Sequence, residues 1–201
     1  MLVLSVVSAV TLLLSLTAAS PTPDDCVHLN KSLSAEDLHT IFGRWILHEA
    51  FVLSRHDLFS QILKTISSSQ IEFMPTDNNH TVISKHENMR DETCTRYSVT
   101  FTIVGNKIQH SPTANATFEA HFLQTCDGCL SMYYTIDTSE QNKGIYLLFY
   151  RKAGTQPQTD QETAREQARC LGFLQPPDFT YNQADLCPEK SDANNTKEEE
   201  Q

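Results

Sequence analysis

Between residues 44 and 151 the chain breaks into eight short segments rich in β-branched and aromatic residues, near 44–53, 69–75, 81–87, 94–104, 107–110, 116–125, 130–137 and 144–151. Turn-forming residues separate them, among them Pro75-Thr76-Asp77-Asn78-Asn79, Gly105-Asn106 and the stretch from Thr138 to Gly144. Gly and Asn tolerate positive φ and Pro fixes φ at about −65°, so these stretches reverse the chain. Eight strands in sequence with short connections predict an antiparallel meander. Two segments show clear alternation: Tyr97, Val99, Phe101 and Ile103 oppose Arg96, Ser98, Thr100 and Thr102, and Phe118, Ala120 and Phe122 oppose Glu119 and His121. One face is buried and the other wet. Closure of such a meander removes its open edges, and an eight-stranded barrel is wide enough to hold one small ligand. The expected fold is mainly β: an eight-stranded antiparallel up-and-down barrel.

Two segments break the period of two. Residues 32–42 read as a short helix with Ser34 as N-cap, Glu36 and Asp37 in the first turn, Leu38, Ile41 and Phe42 on one side, and Gly43 as its stop. Residues 158–170 read as a helix that packs Ala164, Ala168 and Leu171 on the barrel and ends near Gly172. Phe179-Thr180-Tyr181 offers one more short strand.

Residues 1–20 carry no charged side chain and run from an apolar stretch into Thr17-Ala18-Ala19-Ser20, the pattern of a secretory signal peptide cut after Ala19 or Ser20. The expected organisation is a signal over 1–20, one domain over 21–187 and an acidic, disordered tail over 188–201. Six cysteines in an exported chain imply a disulfide framework. Four sequons, at Asn30, Asn79, Asn115 and Asn194, point to a glycoprotein of the extracellular space or plasma. A net charge of -10 argues against nucleic acid as a partner, because phosphate binding draws on Lys and Arg. No motif of a nucleophile elbow, a zinc protease or a phosphate loop is present, so no catalytic residue, metal or cofactor is assigned.

Gly43-Arg44-Trp45, preceded by a short helix and opening the first strand, resembles the Gly-x-Trp signature of the lipocalin family, in which the Trp plugs the closed end of the barrel. Glu49-Ala50-Phe51, Cys94, Ala120-His121, Ala168-Arg169-Cys170-Leu171, Tyr181 and Asp185-Leu186-Cys187 extend the resemblance over the whole mature chain. They resemble the branch of alpha-1-acid glycoprotein (orosomucoid) and the fish proteins that bind saxitoxin and tetrodotoxin or tributyltin. That resemblance implies pairing of Cys26 with Cys170 and of Cys94 with Cys187. Cys126 and Cys129 remain, a departure from alpha-1-acid glycoprotein. A Cys-Asp-Gly-Cys turn can close a local hairpin disulfide, act as a thioredoxin-like redox pair or form half of a zinc knuckle. No second pair is left for zinc and no βαβ unit is present, which favours the hairpin disulfide.

If the first strand alternates inward from Trp45, Leu47, Glu49 and Phe51 face the barrel, and a buried Glu49 would favour a cationic ligand. A one-residue slip turns Glu49 to solvent instead, and an internal Arg or His would neutralise it. Phe73, Tyr97, Phe101, Phe122, Tyr133 and Tyr150 are candidate cavity walls, and each reads equally as plain core. The resemblance places His110 near a polar pocket position held by Arg in that branch; it reads equally as a surface-turn histidine. The resemblance implies a carrier or scavenger of a small hydrophobic or amphipathic cationic ligand. The alternative is an acute-phase immunomodulatory glycoprotein that acts through its surface, its glycans and an unknown cell-surface receptor.

Overall fold

The computed structural model describes residues 22–53, 58–113, 116–138, 143–152 and 161–189. Eight strands follow one another: β1 (Gly43–Val52), β2 (Ser68–Pro75), β3 (Thr81–Arg90), β4 (Thr93–Val104), β5 (Lys107–Thr113), β6 (Ala116–Leu123), β7 (Cys129–Asp137) and β8 (Lys143–Lys152). Each pairs antiparallel with the next, β8 pairs with β1, and β1 closes the ring on β2. The expected barrel is therefore present. The signal, the sequons at Asn115 and Asn194 and residues 190–201 of the acidic tail lie outside the described residues.

Closure is lopsided. β1 pairs with β2 only from Gly43 to Ile46, after which its free edge takes a two-residue strand, β9 (Phe179–Thr180), opposite Glu49 and Ala50. Backbone bonds from Asp178 to Ala50 and from Tyr181 to His48 extend this strap, and Ser68 Oγ donates to the Asp185 carbonyl. The Cys94–Cys187 disulfide anchors its end on β4.

The helix expected over 32–42 is a 3-10 helix, Glu36–Ile41. The Ser34 hydroxyl accepts from the Asp37 amide, and Leu38 and Ile41 press into the barrel's end. The late helix, α3 (Gln161–Cys170), lies against the outside of the barrel; residues 158–160 of the expected span lie outside the described residues. Gly172, at φ +87, ends the turn that follows it. Two helices went unforeseen: α1 (Pro23–Leu29) and α2 (Leu58–Leu63), between β1 and β2. Cys26–Cys170 ties α1 to α3, and Cys126–Cys129 closes the hairpin entering β7, so all three pairs are those expected.

A bulge in β1 overturns one reading of the inner face. Leu47 pairs with Tyr150 but Glu49 pairs with Phe149, so His48 is an extra residue and the alternation flips there. Trp45, Leu47, Ala50 and Val52 join the interior cluster, whereas Phe51 packs outside with Leu123, Leu147, Ala168 and Phe173. Glu49 and Phe51 are therefore not cavity residues. Tyr133 is a second correction: it packs on that same outer cluster, and its neighbour Tyr134 takes the interior position.

Candidate functional site

The closed end of the barrel is sealed from the first strand inward. Trp45 is 4% exposed, its indole N–H donates to the Ile41 carbonyl at 2.7 Å, and the Lys152 ammonium sits 5.7 Å above its ring. Phe73 and Phe122 cross edge to face at 5.6 Å above this floor, with Leu47, Phe101, Ile108 and Tyr150 around them. Of the expected wall residues, Leu47, Phe73, Phe101, Phe122 and Tyr150 lie in one interior cluster.

Toward the open end the wall changes character. Strand pairing sets Ser69 opposite Asn88, Phe73 opposite Ser84, and His86 opposite Tyr97, all on the inner face. Ser69 donates to Asn88 at 2.7 Å, Ser84 Oγ lies 2.9 Å from His86 Nε2, and the His86 and Tyr97 rings stack at 4.6 Å. Burial depresses the His86 pKa to about 4, so the ring is neutral at pH 7. These polar groups occupy adjacent strands and form one sector of the wall. Sequence reasoning missed it because Val82, Ser84, His86 and Asn88 alternate inward without an apolar pattern.

The opposite sector is aromatic. Phe118 and Tyr134 stack at 6.3 Å, Tyr134 lies 6.2 Å from Tyr146, and Phe59 of α2 caps both tyrosines at 5.9 and 4.8 Å. His110 faces inward after all, between Phe101 and Phe118, with Nδ1 3.0 Å from the Thr100 carbonyl. Burial, followed by the neighbouring Tyr97, holds the Tyr134 phenol above the usual range; burial, Tyr97 and Tyr134 do the same to Tyr150.

Tyr97 faces inward yet 43% of its surface is accessible. Desolvation pushes its phenol upward, partly offset by a hydrogen bond with Asn88. Thr95, the next inward position toward the mouth, is exposed as well.

Glu49 serves another purpose. It is fully buried on the outer side, and Arg165 of α3 meets it at 2.6 Å through Nη2 and at 3.2 and 3.4 Å through Nε. Beside it, Gln167 accepts from Ser131 at 2.6 Å and donates to the carbonyls of Leu29 and Gln124 at 2.7 and 2.8 Å. Both side chains dock α3. Among the described residues no group of three or more His, Cys, Asp and Glu side chains is placed to hold a metal.

No family model matches the chain. It is 26% identical over 193 residues to saxitoxin and tetrodotoxin-binding protein 1 of Takifugu pardalis, an alignment covering 86% of this chain and 47% of that protein. Saxitoxin and tetrodotoxin-binding protein 2 of the same fish matches at the same identity and coverage. The chain thus spans about half the length of these curated relatives. Among solved structures, lipocalin 12 from rat epididymis superimposes with a TM-score of 0.63 at 9% identity, covering 79% of this chain and 93% of that one. The siderocalin Ex-FABP does so with a TM-score of 0.57 at 14% identity, over 73% and 97%. The barrel has the lipocalin fold.

Proposed function

We propose that this protein is a secreted carrier or scavenger that binds one small hydrophobic or amphipathic ligand in the open half of the barrel. Inward-facing Tyr97, 43% exposed, and exposed Thr95 beyond it carry the reading, because they leave the inner wall toward the mouth uncovered. Three disulfides support an oxidising, extracellular compartment, and no helix among the described residues is long and apolar enough to cross a membrane. The relatives' names support a small-molecule ligand.

The two sectors define the ligand's chemistry. Asn88 and neutral His86, backed by Ser69 and Ser84, offer hydrogen bonds on one side, and Phe118 and Tyr134, backed by Tyr146, offer ring faces on the other. With Glu49 committed to Arg165, a positively charged ligand such as an organotin or a guanidinium toxin is held against ring faces; such contacts contribute about 0.5–2 kcal/mol each. Displacement of an apolar fluorescent probe by tributyltin, tetrodotoxin, saxitoxin, sphingosine phosphate, and basic and acidic drugs tests this. Selective displacement by the organotin or the toxins supports the reading. Absence of any probe binding overturns it and favours action through the glycosylated surface.

A further inference from the structure

We propose that the Cys126–Cys129 disulfide is a thiol–disulfide exchange centre for small extracellular thiols, placed at the closed end of the barrel and separate from the ligand cavity. The three disulfides differ in what they hold. Cys26–Cys170 and Cys94–Cys187 span sequence separations of 144 and 93 and tie α1 and the C-terminal strap to the rest of the fold. Cys126–Cys129 spans 3, inside a turn whose Cys129 amide already donates to the Cys126 carbonyl at 3.0 Å. Cross-linking so short a loop removes little entropy from the unfolded chain, so opening it costs the fold least.

The site is reachable. Thr125, Cys126, Asp127, Gly128 and Cys129 line a groove of about 640 Å³, and both cysteines are only partly buried. Gly128, at φ +70, forms the turn and presents no side chain to an incoming thiol. The turn survives without the covalent bond, because the Lys152 amide donates to the Gly128 carbonyl at 2.9 Å and β7 continues its ladder with β8 from Cys129 onward.

The surroundings distinguish the two sulfurs. Arg151 is the direct cross-strand partner of Cys129 and is 3% exposed. A guanidinium at that position stabilises a Cys129 thiolate, which makes Cys129 the leaving group. An external thiolate then attacks Cys126 Sγ, forming a mixed disulfide and releasing the Cys129 thiolate, which takes up a proton. A second external thiol attacks the external sulfur of the mixed disulfide and frees Cys126. Two thiols are oxidised to one disulfide while the protein gains two electrons and two protons. The missing βαβ unit rules out a thioredoxin-like helix terminus but has no bearing on this chemistry.

The test equilibrates the full oxidised chain in glutathione buffers of increasing reducing strength, traps free thiols with iodoacetamide and locates the label by peptide mass spectrometry. The expected result is label on Cys126 and Cys129 while the other four cysteines stay blocked, with unchanged far-ultraviolet circular dichroism. Arg151→Gln slows the opening at least threefold and Arg151→Lys restores it; because Arg151 is buried, the selectivity of the parent protein stands as the primary readout. Opening of this pair only together with another disulfide, or loss of the circular dichroism signal as it opens, overturns the proposal. An unchanged rate in a folded Arg151→Gln overturns the assignment of the leaving sulfur.

Discussion

Arg165→Met and Glu49→Gln delete the same ion pair, yet they should differ in cost by about 2 kcal/mol. The Glu49 side chain is 0% exposed and Arg165 is 43% exposed. Removing Arg165 leaves a buried carboxylate without its cation, which typically costs about 3–5 kcal/mol; the half-open arginine position lets water approach, which favours the lower figure. Removing the charge from Glu49 instead leaves a guanidinium that can turn to water and a carboxamide oxygen that still accepts, a loss of about 1 kcal/mol. At roughly 2–4 °C per kcal/mol for a chain of this size, Arg165→Met lowers Tm by about 6–12 °C and Glu49→Gln by about 2–4 °C. Urea denaturation at pH 7 reads both directly. Equal costs, or a larger cost for Glu49→Gln, would refute the placement of Glu49 on the outer side of β1.

Glu92→Gly should stabilise the protein by about 1 kcal/mol, because Asp91 and Glu92 form the β3–β4 turn at φ 47 and 64, where glycine is unstrained; chemical denaturation measures it. Gln167→Leu should cost about 3 kcal/mol, since it strips Ser131, Leu29 and Gln124 of a buried partner, and faster hydrogen exchange in α3 would locate the damage. Acid should weaken the fold between about pH 6.5 and 4. His48 and His86 both have pKa values lowered to about 4 by burial, aided at His48 by Arg151. The unfolded chain therefore binds their protons first as pH falls through 6.5, and the loss is complete once the folded values are passed. His86→Gln removes its share of that slope, which a urea series across the interval resolves.

The barrel was legible in the sequence because its determinants are local. Every expected strand has its counterpart, since period-two alternation and Pro, Gly and Asn turns act over a few residues. The bulge at His48 was not legible: an extra residue in β1 carries no composition signal, and it reverses the faces of Glu49 and Phe51. Tyr133 and Tyr134 are adjacent and alike, so only the register against Leu147 and Tyr146 assigns them to opposite faces. The start of α1 could have been read, since Thr22 and Asp25 form a capping box with Pro23 in the first turn. The polar sector was hidden because inward-facing Ser84, His86 and Asn88 mimic a solvent face. Their burial is a property of barrel closure.

Binding of an apolar fluorescent probe by the parent chain and by Thr95→Trp tests the central claim most directly. Thr95 is exposed at an inward-facing position near the mouth, so an indole there fills cavity space without displacing packed core. The account predicts saturable, one-to-one binding by the parent protein, at least tenfold weaker in Thr95→Trp, with superimposable circular dichroism. Equal affinity in the two proteins would place the binding surface elsewhere and contradict a ligand site in the open half of the barrel.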